Sequence, residues 1–277
     1  MDFIEWRSEP ELENPVAIVA FEGWGDASTS ASAAAEFLIE HAEAPFAALD
    51  PEDFFNFQMQ RPMVQVDGGG SRQVHWPGAE FHVVTVAGRD LIVLVGEEPH
   101  LRWRTYCQGI IEVLQSCGVG LVITLGAFIG RVAHTLPVPI FGVATDPDMI
   151  HRYQLFASDY QGPTGIIGSL HDQLRRAGLE TISLWAAVPH YLAANHNPKV
   201  ALSLLAKMGE ILEIEFDLDE LGSEVSDFER RVDDAMYQSE ELVTYIRELE
   251  SDSTEPDMNP EGVSQLISEI EQFLKES

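Results

Sequence analysis

Gly118-Val119-Gly120-Leu121-Val122-Ile123-Thr124-Leu125-Gly126-Ala127-Phe128-Ile129-Gly130-Arg131 holds a run that is apolar on both alternating sets and rich in β-branched residues. Leu121 to Leu125 therefore reads as a strand covered on both faces, which belongs at the centre of a sheet. Gly126 and Gly130 read as bracketing a turn that ends in Arg131. In open α/β sheets the loops beyond the carboxyl ends of strands hold ligands. The stretch from Gly126 to His134 is thus expected at the edge of any site, unless its glycines only let a tight turn pack.

Working outward, Pro15 to Phe21 reads as another buried strand, followed by the turn Glu22-Gly23-Trp24-Gly25-Asp26. Asp26 can cap an Ala-rich helix running to about His41, whose small residues Ala27, Ser30, Ala31 and Ala34 let it lie close on the sheet. Met63 to Asp67, Arg72 to Trp76, Glu80 to Val86 and Asp90 to Val95 are strand-like runs divided by Gly and Pro, the pattern of antiparallel hairpins. Leu101 to Cys117 is a helix with Tyr106, Ile110, Val113 and Leu114 on one stripe. Strands at Val138 to Ala144 and Glu180 to Val188, and helices opening at Thr145, Gly162 and Pro198, complete the body. The alternation predicts a three-layer α/β/α sandwich with a mixed central sheet.

The division expected is a core domain over residues 1–214 and an acidic C-terminal helical extension over 215–277. In the extension, an amphipathic helix is predicted from Ser223 to Glu250 and a second from Pro260 to Lys275, separated by a polar linker containing Pro256. The chain of 277 residues carries a net charge of −30, of which −18 falls in residues 209–277. Such a field repels phosphate backbones and anionic lipid, so neither nucleic acid nor a membrane is an expected partner. Basic protein partners, or simple solubility, fit it. No secretory signal or membrane-length apolar run is visible, which points to a cytoplasmic protein. Cys107 and Cys117 fall on one predicted helix, ~15 Å apart at ~1.5 Å per residue, too far to bridge.

The chain has no Gly-x-x-x-x-Gly-Lys-Ser/Thr loop and no Gly-x-Ser-x-Gly elbow, and its lysines are Lys199, Lys207 and Lys275 alone. Its histidines show no zinc spacing, so neither a metal nor a cofactor is expected. Polar residues do gather just past the predicted strands: Glu22, Trp24 and Asp26; Glu97 and Glu98; Arg131 and His134; Asp146; His190. If those strands are parallel neighbours, Trp24, Asp26, Glu97, Arg131, His134 and His190 form a candidate ligand-binding rim that could hold a small anion or do acid–base work. Otherwise Asp26 and Asp146 cap helices and Arg131 pairs with a nearby carboxylate. The sequence offers no complete catalytic set.

Five fragments in order carry a resemblance: Gly23-Trp24-x-Asp26-Ala27, Leu125-Gly126-Ala127, His134-Thr135-x-Pro137, Gly162-Pro163-Thr164-Gly165 and Trp185-Ala186-Ala187-Val188-Pro189-His190-Tyr191. Together they resemble the proteasome assembly chaperone family in its actinobacterial form, over about residues 14–212. The resemblance implies a phosphorylase/hydrolase-like fold and a protein that binds protein subunits, proteasome-related ones among them, rather than catalysing a reaction. By analogy with the fold it implies a homo-oligomer, with a trimer expected. Some members end in a hydrophobic-Tyr-x tail, whereas this sequence ends Phe273-Leu274-Lys275-Glu276-Ser277, so docking by such a tail is not expected. The alternative is a phosphorylase/hydrolase-type enzyme or small-molecule sensor, with Trp24 stacking on a nucleoside-like ring and Arg131 with His134 holding an anion.

Overall fold

The computed structural model describes residues 1–66, 68–194, 196–236 and 240–251. Eleven strands are described: β1 Ile4–Trp6, β2 Val16–Glu22, β3 Ala47–Leu49, β4 Met63–Val66, β5 Arg72–His75, β6 Ala79–Val86, β7 Arg89–Glu97, β8 Leu121–Gly130, β9 Ile140–Ala144, β10 Phe156–Ala157 and β11 Glu180–Pro189. The α-helices are α1 Ser30–Ile39, α2 Trp103–Ser116, α3 Asp148–Arg152, α4 Ile166–Arg176, α5 Pro198–Leu212, α6 Asp219–Met236 and α7 Glu240–Ser251.

Nine strands make one mixed sheet in the order β1-β3-β6-β7-β2-β8-β11-β9-β10, while β4 and β5 form a separate two-stranded ribbon. β7, β2, β8 and β11 run parallel. β6 and β9 run antiparallel to the neighbours that tie them to that block. β8 therefore lies inside the parallel block, as its two-faced apolar run predicts. Alternation in β2 divides the core. Val16, Ile18 and Ala20 face a layer with Ala31 and Ala34 of α1 and Val200 and Leu204 of α5. Ala17, Val19 and Phe21 face Tyr106 and Ile110 of α2 and Leu170 of α4 on the other side. This is the three-layer sandwich.

One expectation is corrected. Gly126 does not open a turn, because β8 continues through it to Gly130 and pairs residue for residue with β11 down to Gly130 opposite Pro189. Gly126 lies opposite Trp185, and a Cβ there would sit 2.5 Å from Trp185 Cε3. The missing side chain is the seat of the indole, so glycine here serves close packing and not chain reversal. The predicted Ser223–Glu250 helix is represented by α6 and α7 on either side of residues 237–239, and the helix predicted at 260–275 lies outside the described residues. Cys107 and Cys117 are free thiols, and burial pushes the Cys107 thiol up to about 12, which leaves it unreactive.

Gly126→Ala should lose about 1–3 kcal/mol of stability by forcing a methyl group into the Trp185 ring. Urea denaturation checks this, and the loss should shrink when Trp185→Ala is added. An unchanged midpoint for Gly126→Ala would show that the indole does not rest on residue 126.

Candidate functional site

Because β7, β2, β8 and β11 are parallel, their carboxyl ends face one edge of the sheet, bringing Glu22, Glu97, Gly130 and Pro189 to the same side. β9 runs the other way, pairing Ala144 with Ile182 near the start of β11, so Asp146 lies at the opposite edge. There it accepts the N–H of Asp148 at 3.0 Å and opens α3, as a cap and not as a member of the rim.

The remaining candidates fall into two groups, and the reason is strand length. β8 pairs with β2 only as far as Thr124 and then runs on beside β11 for six more residues, ~20 Å at ~3.3 Å each. The turn Gly23–Asp26 fills the gap, joining β8 through an N–H from Ala127 to the Gly25 carbonyl at 2.8 Å. Trp24, Glu97 and Glu98 stay by the short strands β2 and β7, while Arg131, His134 and His190 sit beyond the long ones.

In the first group Glu98 is the organiser. Its Oε1 accepts the N–H of Ile166 at 2.7 Å, at the start of α4, and its Oε2 accepts the N–H of Trp24 at 3.4 Å. Trp24 itself is 63% exposed. Glu97 Oε2 accepts the N–H of Gly78 at 2.7 Å. Glu22 and Glu97 line two adjoining grooves of about 500 and 520 Å³. Burial raises both carboxyls above the ordinary carboxylate value, and for Glu22 the charge of Glu97 adds to the effect. These grooves are acidic and disfavour an anion.

Asp26 is buried and belongs to neither groove. Its Oδ1 accepts the N–H of Ala31 at 2.7 Å and its Oδ2 the hydroxyl of Ser32 at 2.5 Å. It caps α1 across the short 3₁₀ turn Ala27–Thr29, and burial raises its carboxyl while these bonds pull it down.

In the second group the imidazoles are covered by the C-terminal helices. His134 Nδ1 meets Tyr191 Oη at 2.8 Å, its backbone N–H donates to the same oxygen at 2.8 Å, and its Nε2 meets Asp233 of α6 at 3.2 Å. His190 Nε2 meets Tyr245 Oη of α7 at 2.9 Å. Around them Ala133, Tyr191 and Leu192 pack with Phe228, Val232, Met236, Leu242, Ile246 and Leu249 in one apolar cluster. Lys199 of α5 bonds the His134 carbonyl at 2.5 Å and Glu229 at 2.7 Å. The cavity beside His134 measures only about 10 Å³, about the room of one water. Arg131 is exposed beside this cluster.

A model of the PAC2 family matches residues 20–236. The chain belongs to the PAC2 family. A PAC2 family protein from Streptomyces avermitilis is 41% identical over 83% of this chain and 99% of its own, with a TM-score of 0.78. A proteasome-assembly chaperone homologue from Mycobacterium tuberculosis is 33% identical over 83% and 99%, with a TM-score of 0.76. An archaeal proteasome activator from Pyrococcus furiosus, 20% identical over 82% and 95%, shares the fold with a TM-score of 0.65. No curated protein matches.

In this PAC2 chain several functional-looking groups escape a sequence reading. Tyr191, Asp233 and Tyr245 become partners of the imidazoles only through folding, since 99 residues separate His134 from Asp233. Ser183 accepts from Thr124 at 2.6 Å and meets His171 Nδ1 at 2.8 Å, which looks like a nucleophile and its base. It is 2% exposed inside the sheet, so no substrate can reach it. Among the described residues no cluster of three His, Cys, Asp or Glu could hold a metal ion, and no helix is long and apolar enough to cross a membrane.

Burial lowers both imidazoles below the ordinary value of 6.5; Asp233 opposes this at His134. Unfolding therefore takes up protons between each folded midpoint and 6.5, so the stability these groups contribute is full above 6.5 and is lost as pH falls through that window. The raised carboxyls of Glu22, Asp26 and Glu97 act with the opposite sign, since their contribution is full below their ordinary values and is lost as pH rises through the folded ones. The unfolding free energy should fall on acidification below 6.5, and His134→Asn/His190→Asn should flatten that fall. Parallel pH profiles for the two proteins would contradict the assignment.

Proposed function

We propose that this PAC2 protein is a non-enzymatic, cytoplasmic assembly chaperone that binds protein subunits, proteasome subunits being the suggested partners. The observation that carries this reading is the 33% identity, over 83% of this chain and 99% of the other, to the Mycobacterium tuberculosis proteasome-assembly chaperone homologue. The covered edge agrees with it: His134 and His190 are engaged in holding α6 and α7 in place. We take residues 1–214 as the core domain and 215–277 as a helical extension, in which the apolar sides of α6 and α7 are spent on that contact. Its outward side presents Glu220, Glu224, Asp227, Asp234, Glu241 and Glu248, a surface that suits a basic protein partner. Self-association, as a trimer, belongs to the same proposal by analogy with the fold.

The second reading, an enzyme or sensor for an anionic or nucleoside-like ligand, has exposed Trp24 in its favour. Glu98, which accepts the Trp24 N–H, and the groove it shares with Glu22 and Glu97 weigh against an anion.

Purified full-length protein mixed with proteasome α- and β-subunits should co-elute with them on size exclusion and hasten core-particle assembly. The complex should weaken with added salt, since charged surface contacts are screened. Absence of any complex, with an unchanged assembly rate, would overturn the proposal.

A further inference from the structure

The nine-stranded sheet ends in β1 on one side and β10 on the other, and the two edges differ in charge. Residues 1–14, which carry β1, hold five acidic side chains and one arginine. Residues 149–171, which carry β10, hold Asp159 and Arg152 and no other Asp, Glu, Lys or Arg. The contrast extends through that half of the molecule. Residues 113–209 hold five acidic and six basic side chains, so the whole of the −30 comes from outside them. Two copies of so acidic a chain repel each other except where carboxylates are scarce. They are scarce on the half built from β8, β11, β9 and β10.

That half also exposes aromatic surface. Register puts Phe141 opposite Trp185, Val143 opposite Ser183 and Phe156 opposite Phe141, so these side chains share one face of the sheet. On that face α4 lies over β11, where His171 meets Ser183 at 2.8 Å. Toward the edge Val143 is 39% and Phe156 46% exposed. Phe141 sits between Phe128 and Phe156, with ring centroids 5.4 and 5.3 Å away. The belt continues around the start of α4. Trp185 rests on Gly25 and Gly126, and exposed Trp24 lies against Gly165. The half-exposed Tyr160 donates its hydroxyl to the Pro163 carbonyl at 2.8 Å. Glu98, the carboxylate at this end, is engaged by the N–H groups of Ile166 and Trp24. A contiguous apolar patch of this kind marks an interaction surface.

We propose that this belt, centred on Phe141 and Phe156, is a two-fold self-association surface that seats on the same belt of a second copy of this chain. A two-fold contact sets a patch against its own copy, so ring meets ring and no carboxylate-rich surface is buried. β10 has two residues and adds almost no ladder, so the rings and not backbone pairing carry the contact. This rests on the self-association proposed above but not on the trimer, since pairing joins two single chains or two three-chain rings alike.

The test is sedimentation velocity on the full chain and on Phe156→Glu/Tyr160→Glu, with circular dichroism and melting to confirm that the body is intact. The wild type should sediment as an even number of chains, two or six, and the double variant at half that mass. Added salt should tighten the pairing, because it screens the net charge that opposes it. Weakening by salt would mark charged contacts and overturn the apolar belt. If the double variant fails to fold, Trp24→Glu, in an exposed turn, carries the same test with the same outcomes. A wild-type monomer at all concentrations would overturn self-association and the belt together. A wild-type trimer, or a folded variant of wild-type mass, would overturn the belt alone. An unpaired wild type whose folded variant loses proteasome-subunit binding would assign the belt to a client and overturn the pairing.

Discussion

The pairing of β8 with β11, locked where the Trp185 indole rests on Gly126, is the constraint on which the rest of this structure depends. A parallel strand buried on both faces has no polar side to mark its register, so register must be fixed by shape. A glycine opposite a tryptophan does this, since displacing the pair by one residue would drive the ring into a side chain. The same ring comes within 3.2 Å of where a Cβ on Gly25 would lie, so the turn between β2 and α1 is placed by the same contact.

From that register follows the separation of the strand ends. β8 and β11 extend together well past their pairing with β2, and their tips, Gly130 to His134 and Pro189 to Leu192, become a platform for α6 and α7. Tyr191 is central to it, fully buried, its hydroxyl receiving the His134 N–H and facing the imidazole. The shorter ends of β2 and β7 keep an open, carboxylate-lined surface beside the ribbon. One edge of the sheet thus holds two surfaces of different character, a sealed one that anchors helices and an open one that can meet a partner. Both suit the protein-binding role proposed above.

Much of this was legible in the residues. The continuous apolar runs at Val16, Leu121 and Glu180 located the parallel core, the α2 stripe located its cover, and Asp26 announced the cap of α1. What stayed hidden is non-local. Gly126 reads as a turn because local preference for reversal is visible and a facing tryptophan 59 positions later is not. The direction of β9 leaves no trace in its own five residues, so the sequence alone puts Asp146 at the wrong edge. His134 and His190 are polar residues past strands under any sequence reading. Their role is set by Asp233 and Tyr245, which arrive from helices about 55 to 100 residues away.

The central claim is that the strand tips are sealed by α6 and α7, with His134 and His190 held neutral beneath them. Nuclear magnetic resonance titration of these two imidazoles in the full-length chain, compared with the same residues in denaturant, tests it most directly. The account predicts that both titrate below 6.5 in the folded protein, because burial disfavours the charged ring. Midpoints at or above those of the denatured chain would mean that the rings face water and that the edge is open, contradicting it.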